Sequence, residues 1–218
     1  MGIAKWIAAG AGIAMVGALA APTAYAQYRD SEEPPYEVVV DDDGFEVRQY
    51  APMVVAEVTH TGDRRRASGA SFRRLAAYIF GQDRPAGGEN IAMTSPVITD
   101  RVDQDEKIAM TSPVIQEETE EGTWRMRFVM PAKYTLETLP KAPDDITLTE
   151  VPGRRMAAVR FNGYAGQTDL DLMEGMLMDW LERKELTTIG SVEYAFYDAP
   201  MVPGQYRRNE VMIEVAAE

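Results

Sequence analysis

The sequence predicts an α+β fold, a pseudo-twofold antiparallel β-sheet, barrel-like, with two main helices packed on it. Three observations support this. β-rich runs recur from Tyr36 to Val215, only two segments place apolar residues at helical spacing, and the order strand, strand, helix, strands occurs twice. Two helices are too few to cross over between every pair of strands, which argues against a doubly wound parallel sheet.

The first half opens with "YEVVVDDDGFEVRQY" (36–50), a hairpin signal turning at Asp43-Gly44. "MVVAEVTH" continues as a strand. Ala67 to Phe80 then places Phe72, Leu75, Ala76, Ile79 and Phe80 at helical spacing, with Gly81 just past the end as a cap. In the second half "TLTEVPG" and "RRMAAVRF" read as strands, and Thr168 to Lys184 as a helix with Leu170, Met173, Leu177, Trp180 and Leu181 on one face. Thr168 and Asp171 resemble a capping box. "SVEYAFYD" and "NEVMIEV" close the chain as strands.

One feature breaks the symmetry. "IAMTSPVI" occurs at residues 91–98 and again at 108–115. Two copies are too few for a solenoid, which stacks at least three units. Each copy reads as a short strand interrupted by Pro96 or Pro113, which cannot donate to a ladder and therefore belong at a sheet edge or bulge. Both copies fall where one strand completes the half-repeat, so one is expected to be an insertion.

Residues 1–26 have the pattern of a secretory signal peptide: Lys5, an apolar run from Ile7 to Ala20, and "AYA" before Gln27. The apolar run is shorter than a membrane span and ends in Pro22. Residues 27–35 read as a flexible lead-in and 36–216 as one domain. The expected location is periplasmic or secreted, with no stable membrane anchor after cleavage. Losing residues 1–26 removes Lys5 and no acid, so the formal charge moves from −13 to −14. Such a chain repels phosphate backbones, so nucleic acid is not an expected partner. With no cysteine, there is neither a disulfide framework nor a lipid-attachment thiol.

The residue types also limit the chemistry. His60 is the single histidine, read as a strand-end residue rather than a ligand or base, and without cysteine no zinc constellation can be assembled. "GASFR" lacks the second glycine of a nucleophile elbow. Met173, Met176 and Met178 could offer thioethers to Cu(I), but Met173 and Met176 share the stripe of Trp180 and read as core. Arg64, Arg65, Arg66, Arg73 and Arg74 concentrate positive charge around the first helix. A solvated face is the ordinary explanation. A basic rim beside an apolar helix face also suits a flat, apolar, dianionic ligand.

"FEVRQYAPMVVAEV", "FRRLAAYIFG", "IAMTSPV", "WRMRFVMPAKYTLETLP" and "YDAPMVPGQYRRNEV", in this order from about Tyr36 to Val215, resemble the SOUL haem-binding protein family. The resemblance implies a monomeric, barrel-like α+β fold with internal pseudo-symmetry, like the effector-binding domains of some transcriptional regulators. It also implies binding of haem or another tetrapyrrole without a fixed catalytic residue set. Carried over by position, the pocket lies between Phe72, Leu75, Ala76 and Ile79 on the first helix and Met201 and Val202 in the last hairpin, with Arg65 and Arg73 as basic neighbours. Some members carry a proposed histidine ligand in the "EVRxY" motif, where this chain has Gln49, so the tetrapyrrole is expected to bind without a histidine axial ligand. The family's single "IAMTxPV" element is doubled here.

The function expected from these readings is non-covalent tetrapyrrole binding by a carrier, buffer or scavenger rather than an enzyme. The alternatives are a haem- or chlorin-degrading or dechelating enzyme and an effector-binding module for small apolar ligands. Because "AYA" precedes Gln27, intact-mass measurement of the exported protein should give a chain starting at Gln27; retention of residues 1–26 would remove the argument for export.

Overall fold

The computed structural model describes residues 31–84, 90–102, 122–198 and 201–217. The strands are β1 (Tyr36–Asp42), β2 (Phe45–Tyr50), β3 (Met53–Gly62), β4 (Val97–Arg101), β5 (Gly122–Val129), β6 (Thr147–Val151), β7 (Arg155–Asn162), β8 (Thr188–Phe196) and β9 (Arg208–Val215). Helix α1 (Arg64–Ile79) follows β3, and α2 (Gln167–Arg183) follows β7. The sheet order is β1-β2-β7-β9-β8-β4-β5-β3-β6, antiparallel throughout. Its edges, β1 and β6, do not pair with each other, so the sheet is open rather than a closed barrel.

The pseudo-twofold relation is read directly from this order. Each half runs strand, helix, strand, strand: β3-α1-β4-β5 and β7-α2-β8-β9. In the sheet these become β7-β9-β8 and β4-β5-β3, so the two halves meet where β4 pairs with β8. The first octapeptide copy ends in β4, an interior strand and not the edge its proline suggested. Pro96, joined to Ser95 by a cis peptide bond, precedes the first strand residue, so its missing N–H falls outside the ladder. The second copy, residues 108–115, lies outside the described residues, as does the signal-like segment.

Local chemistry sets the element ends. Asp43 and Gly44 both have positive φ, 49° and 90°, as a two-residue hairpin turn of the primed type requires. Asp63 caps α1, its carboxylate accepting from the backbone N–H groups of Arg65 and Arg66, which offsets three cations in the first turn. At the other end Gly81 (φ 69°) and Gln82 donate to the carbonyls of Tyr78 and Ala77, closing the helix in a Schellman turn. The capping box of α2 sits two residues earlier than Thr168 suggested. Gly166 is the cap, and its N–H donates to Asp169.

The two faces of the sheet are used differently. On one, α2 buries Leu170, Leu177, Trp180 and Leu181 against Val47, Ala157, Val159, Val211 and Ile213. Helix α1 buries Leu75, Tyr78 and Ile79 against Ala56, Val58, Met126 and Phe128. Each fully buried aliphatic side chain contributes about 1.5–3 kcal/mol. Met173 packs partly buried against the α2 cluster, but Met176 is exposed, so only the first of these two methionines joins the core.

The opposite face buries charge. Arg127 bridges Asp100 (2.9 Å) in β4 and Glu193 (3.0 Å) in β8, while Arg125 also holds Asp100 and Arg154 also holds Glu193. Farther along, Glu210 accepts from Arg48 (2.6 Å), Arg160, Arg208 and Tyr197. Arg48, Asp100 and Glu210 are 1 %, 0 % and 0 % exposed, so every one of these charges needs its partner. Residues 31–35 lie beside this region: Ser95 N–H donates to the Glu32 carbonyl, and Glu33 pairs with Arg208.

Burial alone would raise the Glu210 carboxyl, but the hydrogen bonds and charge of Arg48, with Arg208 and Tyr197, outweigh it and hold the group at about 2. Burial likewise opposes ionisation of Glu193, and Arg127 and Arg154 reverse it, leaving its carboxyl below the usual range. Both carboxylates therefore stabilise the fold above the unfolded-state value, and that contribution disappears as pH falls through the folded-state value. Urea midpoints should be flat above about pH 5 and fall between about pH 4.5 and pH 2, Glu210 contributing on the order of 3 kcal/mol. Glu210→Gln should flatten that acid slope; an unchanged slope would show that the pairs do not govern acid stability.

Deleting residues 91–107 joins Asn90 to the second copy and puts Gln116, Glu117 and Glu118 where Thr99, Asp100 and Arg101 stand. Glu117 then supplies the acid that Arg125 and Arg127 require. The deletion variant should unfold cooperatively in a thermal melt, whereas loss of the transition would mean that both copies are structural.

Candidate functional site

Because each helix covers the outer strands of its own half, the helix-side surface above the β4–β8 junction is left as a groove of about 670 Å³. Its floor comes from Trp124 of β5, Val192 and Tyr194 of β8 and Ile213 of β9. Asp63 and Arg64 at the start of α1, with Arg101 at the end of β4, form one wall. The other wall is a stripe of α2, Gln167, Asp171, Glu174 and Met178, spaced so that all four face one way beside the buried stripe. An adjoining recess of about 540 Å³ shares Asp63, Arg64 and Gln167 and adds Arg65, Ser68, Tyr164 and Phe196. The volume lies in the range of small-molecule sites, which combine apolar walls with a few placed polar groups.

The polar groups are held in defined positions. Arg64 reaches across to the second half, its Nε donating to the Gln167 side-chain oxygen (3.0 Å) and Nη2 to the Ala165 carbonyl (3.2 Å). Tyr194 donates its hydroxyl to Glu174 (2.8 Å), and burial followed by that bond pushes its phenol well up. Gln167 donates to Asp171 (2.7 Å). At Gly122 a Cβ would meet the Arg101 Nε at 3.2 Å and the Trp124 Nε1 at 3.4 Å, so this glycine lets the guanidinium lie close to the groove floor.

The residues named from sequence are distributed otherwise. Leu75 and Ile79 are 0 % and 1 % exposed under α1, and Phe72 packs edge-on to Phe128 at 5.4 Å between ring centroids. Ala76 is half-buried on the same helix. Val202 is buried in the last loop, its carbonyl accepting from Arg207, while the neighbouring Met201 is 77 % exposed. Arg73 is exposed, and Arg65 lines the recess. Neither the α1 apolar face nor Met201 and Val202 line the groove. The α2 stripe was missed because polar residues at helical spacing ordinarily signify a solvated face, and only the position of β8 turns them toward a cavity.

His60 lies within β3, half-buried, with Nδ1 2.9 Å from the Ser71 hydroxyl. Ser71, on the buried side of α1, is 1 % exposed, and its contact with the half-buried His60 joins helix to strand. The groove lining holds neither histidine nor cysteine, and its sulfur is that of Met178.

Two pseudo-symmetric strand–helix–strand–strand halves around a central groove define a fold that solved structures share. The chain is similar to the EcmrR C-terminal domain at 12% identity and a TM-score of 0.55, covering 84% of this chain and 99% of that one. It is similar to EcmrR in an EcmrR–DNA complex at 12% identity and a TM-score of 0.57, covering 94% and 67%. It also resembles a hydrolase encoded by lin2189 from Listeria innocua at 10% identity and 0.51, covering 82% and 94%. At such identities the likeness establishes the fold alone. No curated protein matches the chain. Residues 31–214 match the SOUL heme-binding protein family, and the chain belongs to that family.

Proposed function

We propose that the chain binds haem or another tetrapyrrole non-covalently in the inter-helix groove, as a carrier, buffer or scavenger in the cell envelope and not as an enzyme. The observation that carries this reading is an open groove with an aromatic and aliphatic floor, Trp124, Tyr194, Val192 and Ile213, in a chain of a heme-binding family. Ring burial over that floor gains roughly 25 cal/mol per Å² of apolar area before the cost of association. The helix face under α1 is already occupied by its own core. The signal-like first 26 residues support the envelope location. An effector-binding module for small apolar ligands is the second reading, favoured by the fold shared with the EcmrR C-terminal domain over 99% of its length.

Residues in the groove fit the tetrapyrrole through shape, apolar contact and polar edges. His60 stands outside the lining and is engaged with Ser71. When haemin is titrated into the mature protein and followed by absorption, His60→Ala should bind within about twofold of wild type. Met178→Asp alters an exposed groove residue and puts an unpaired carboxylate beside the ring, which should weaken binding roughly tenfold. Loss of binding in His60→Ala with Met178→Asp unaffected would place the ligand elsewhere.

A further inference from the structure

The first octapeptide copy puts no residue into the groove lining. Its Thr94 lines a second cavity, of about 230 Å³, at the other end of β3 and β5. Gly62 and Trp124 belong to the groove, whereas Met53, Val54 and Val129 belong to this cavity, and the two linings share no residue. The length of β3, at about 3.3 Å per residue, puts roughly 30 Å between them.

Short segments close round this cavity and are bonded to one another. The Glu32 carbonyl accepts from the Ser95 N–H (2.9 Å), the Glu32 carboxylate from the Ala132 N–H (2.7 Å), and the Pro35 carbonyl from the Ala51 N–H (3.2 Å). The Thr94 hydroxyl donates to the Val129 carbonyl. Residues 31–35 are thereby tied to the chain after β2, to the octapeptide and to the chain after β5, so the walls stand in place before a ligand arrives, which lowers the cost of binding. Those walls are apolar, built from Pro34, Met53, Val54, Val129, Met130 and the Tyr134 ring. The rim is acidic. Glu33 pairs with Arg208, Glu32 and Glu150 stand exposed at the edge, and neither lysine nor arginine occurs in the described lining. Lys133 stands outside that lining, its ammonium 5.0 Å from the Tyr134 ring centroid.

We propose that this cavity is a second ligand site, for a small amine whose apolar body, a single ring or a short chain, lies on Met53, Val54 and Val129 and whose ammonium faces Glu32 and Glu150. At about a third of the groove's volume it excludes a tetrapyrrole, so the inference is independent of what the groove binds. Two rim carboxylates attract an ammonium and repel an anion of the same shape, while a neutral counterpart gains the apolar contact alone.

The test titrates the mature protein with 2-phenylethylamine and with its neutral counterpart 2-phenylethanol, following backbone amide chemical shifts. Wild type should bind the amine about fivefold or more tightly than the alcohol, with the shifts gathered at residues 52–54, 129–135 and 150, and added salt should narrow the difference. The double variant Glu32→Gln, Glu150→Gln changes two exposed residues, keeps an acceptor for the Ala132 N–H and removes both charges, so it should bind the two compounds alike. Equal binding of amine and alcohol by wild type, an undiminished preference in the double variant, or shifts centred on Trp124 and Tyr194 overturns the inference. So does the absence of amine binding at about 10 mM.

Discussion

Arg127 ties the two halves of the molecule together where their strands meet. The two halves are joined at the pairing of β4 with β8, and β4 is only five residues long. One guanidinium at 7 % exposure reaches Asp100 on β4 and Glu193 on β8, tying three strands through ions that cannot be hydrated if one partner goes. Removing one member of such a buried group commonly costs 3–5 kcal/mol, because the charges left behind have no water to turn to. Arg154 extends the group to the entry of β7, and Arg125 secures Asp100 from β5.

The groove depends on that junction from the other side of the sheet. Residues alternate faces along a strand, so Glu193 points into the ionic layer while its neighbours Val192 and Tyr194 point into the groove. A one-residue slip of β8 would exchange them and put the carboxylate among the apolar floor residues. The ionic layer thus specifies register, and register decides which side chains a ligand meets. Each helix adds a wall because it packs only on its own half, which leaves the dyad uncovered.

Arg64 and Arg74 show how position on one helix changes what the same residue type joins. Arg74 is tied to Asp83 and Asp145, fastening two loops to α1. Arg64 lies on the same helix but at its start, where it crosses to Ala165 and Gln167 of the other half. Its neutral partners orient the guanidinium, with Asp171 one hydrogen bond beyond Gln167. Ser71 and His60 make the complementary point, since their hydrogen bond joins α1 to β3.

Local pattern determined much of the fold without help. The Asp43-Gly44 hairpin, both helices, the Gly81 cap, the strands on either side of them and the pseudo-twofold order follow from turn chemistry, periodicity and capping, which act over a few residues and are written in adjacent letters. Pro96 was legible as a residue without a donor, but its place just before an interior strand was not, because strand order is a matter of which distant segments pair. The candidate site was less legible still. Arg64 stood out as part of a basic cluster, while Arg101, Trp124, Tyr194 and the stripe Gln167, Asp171, Glu174 and Met178 carry no local mark. With Arg64 they come from five separate elements, and only the meeting of β4 with β8 between two helices brings them to one groove. The apolar face of α1, the most visible ligand surface in the sequence, was taken by the core, since a helix on an open sheet must first bury its own stripe.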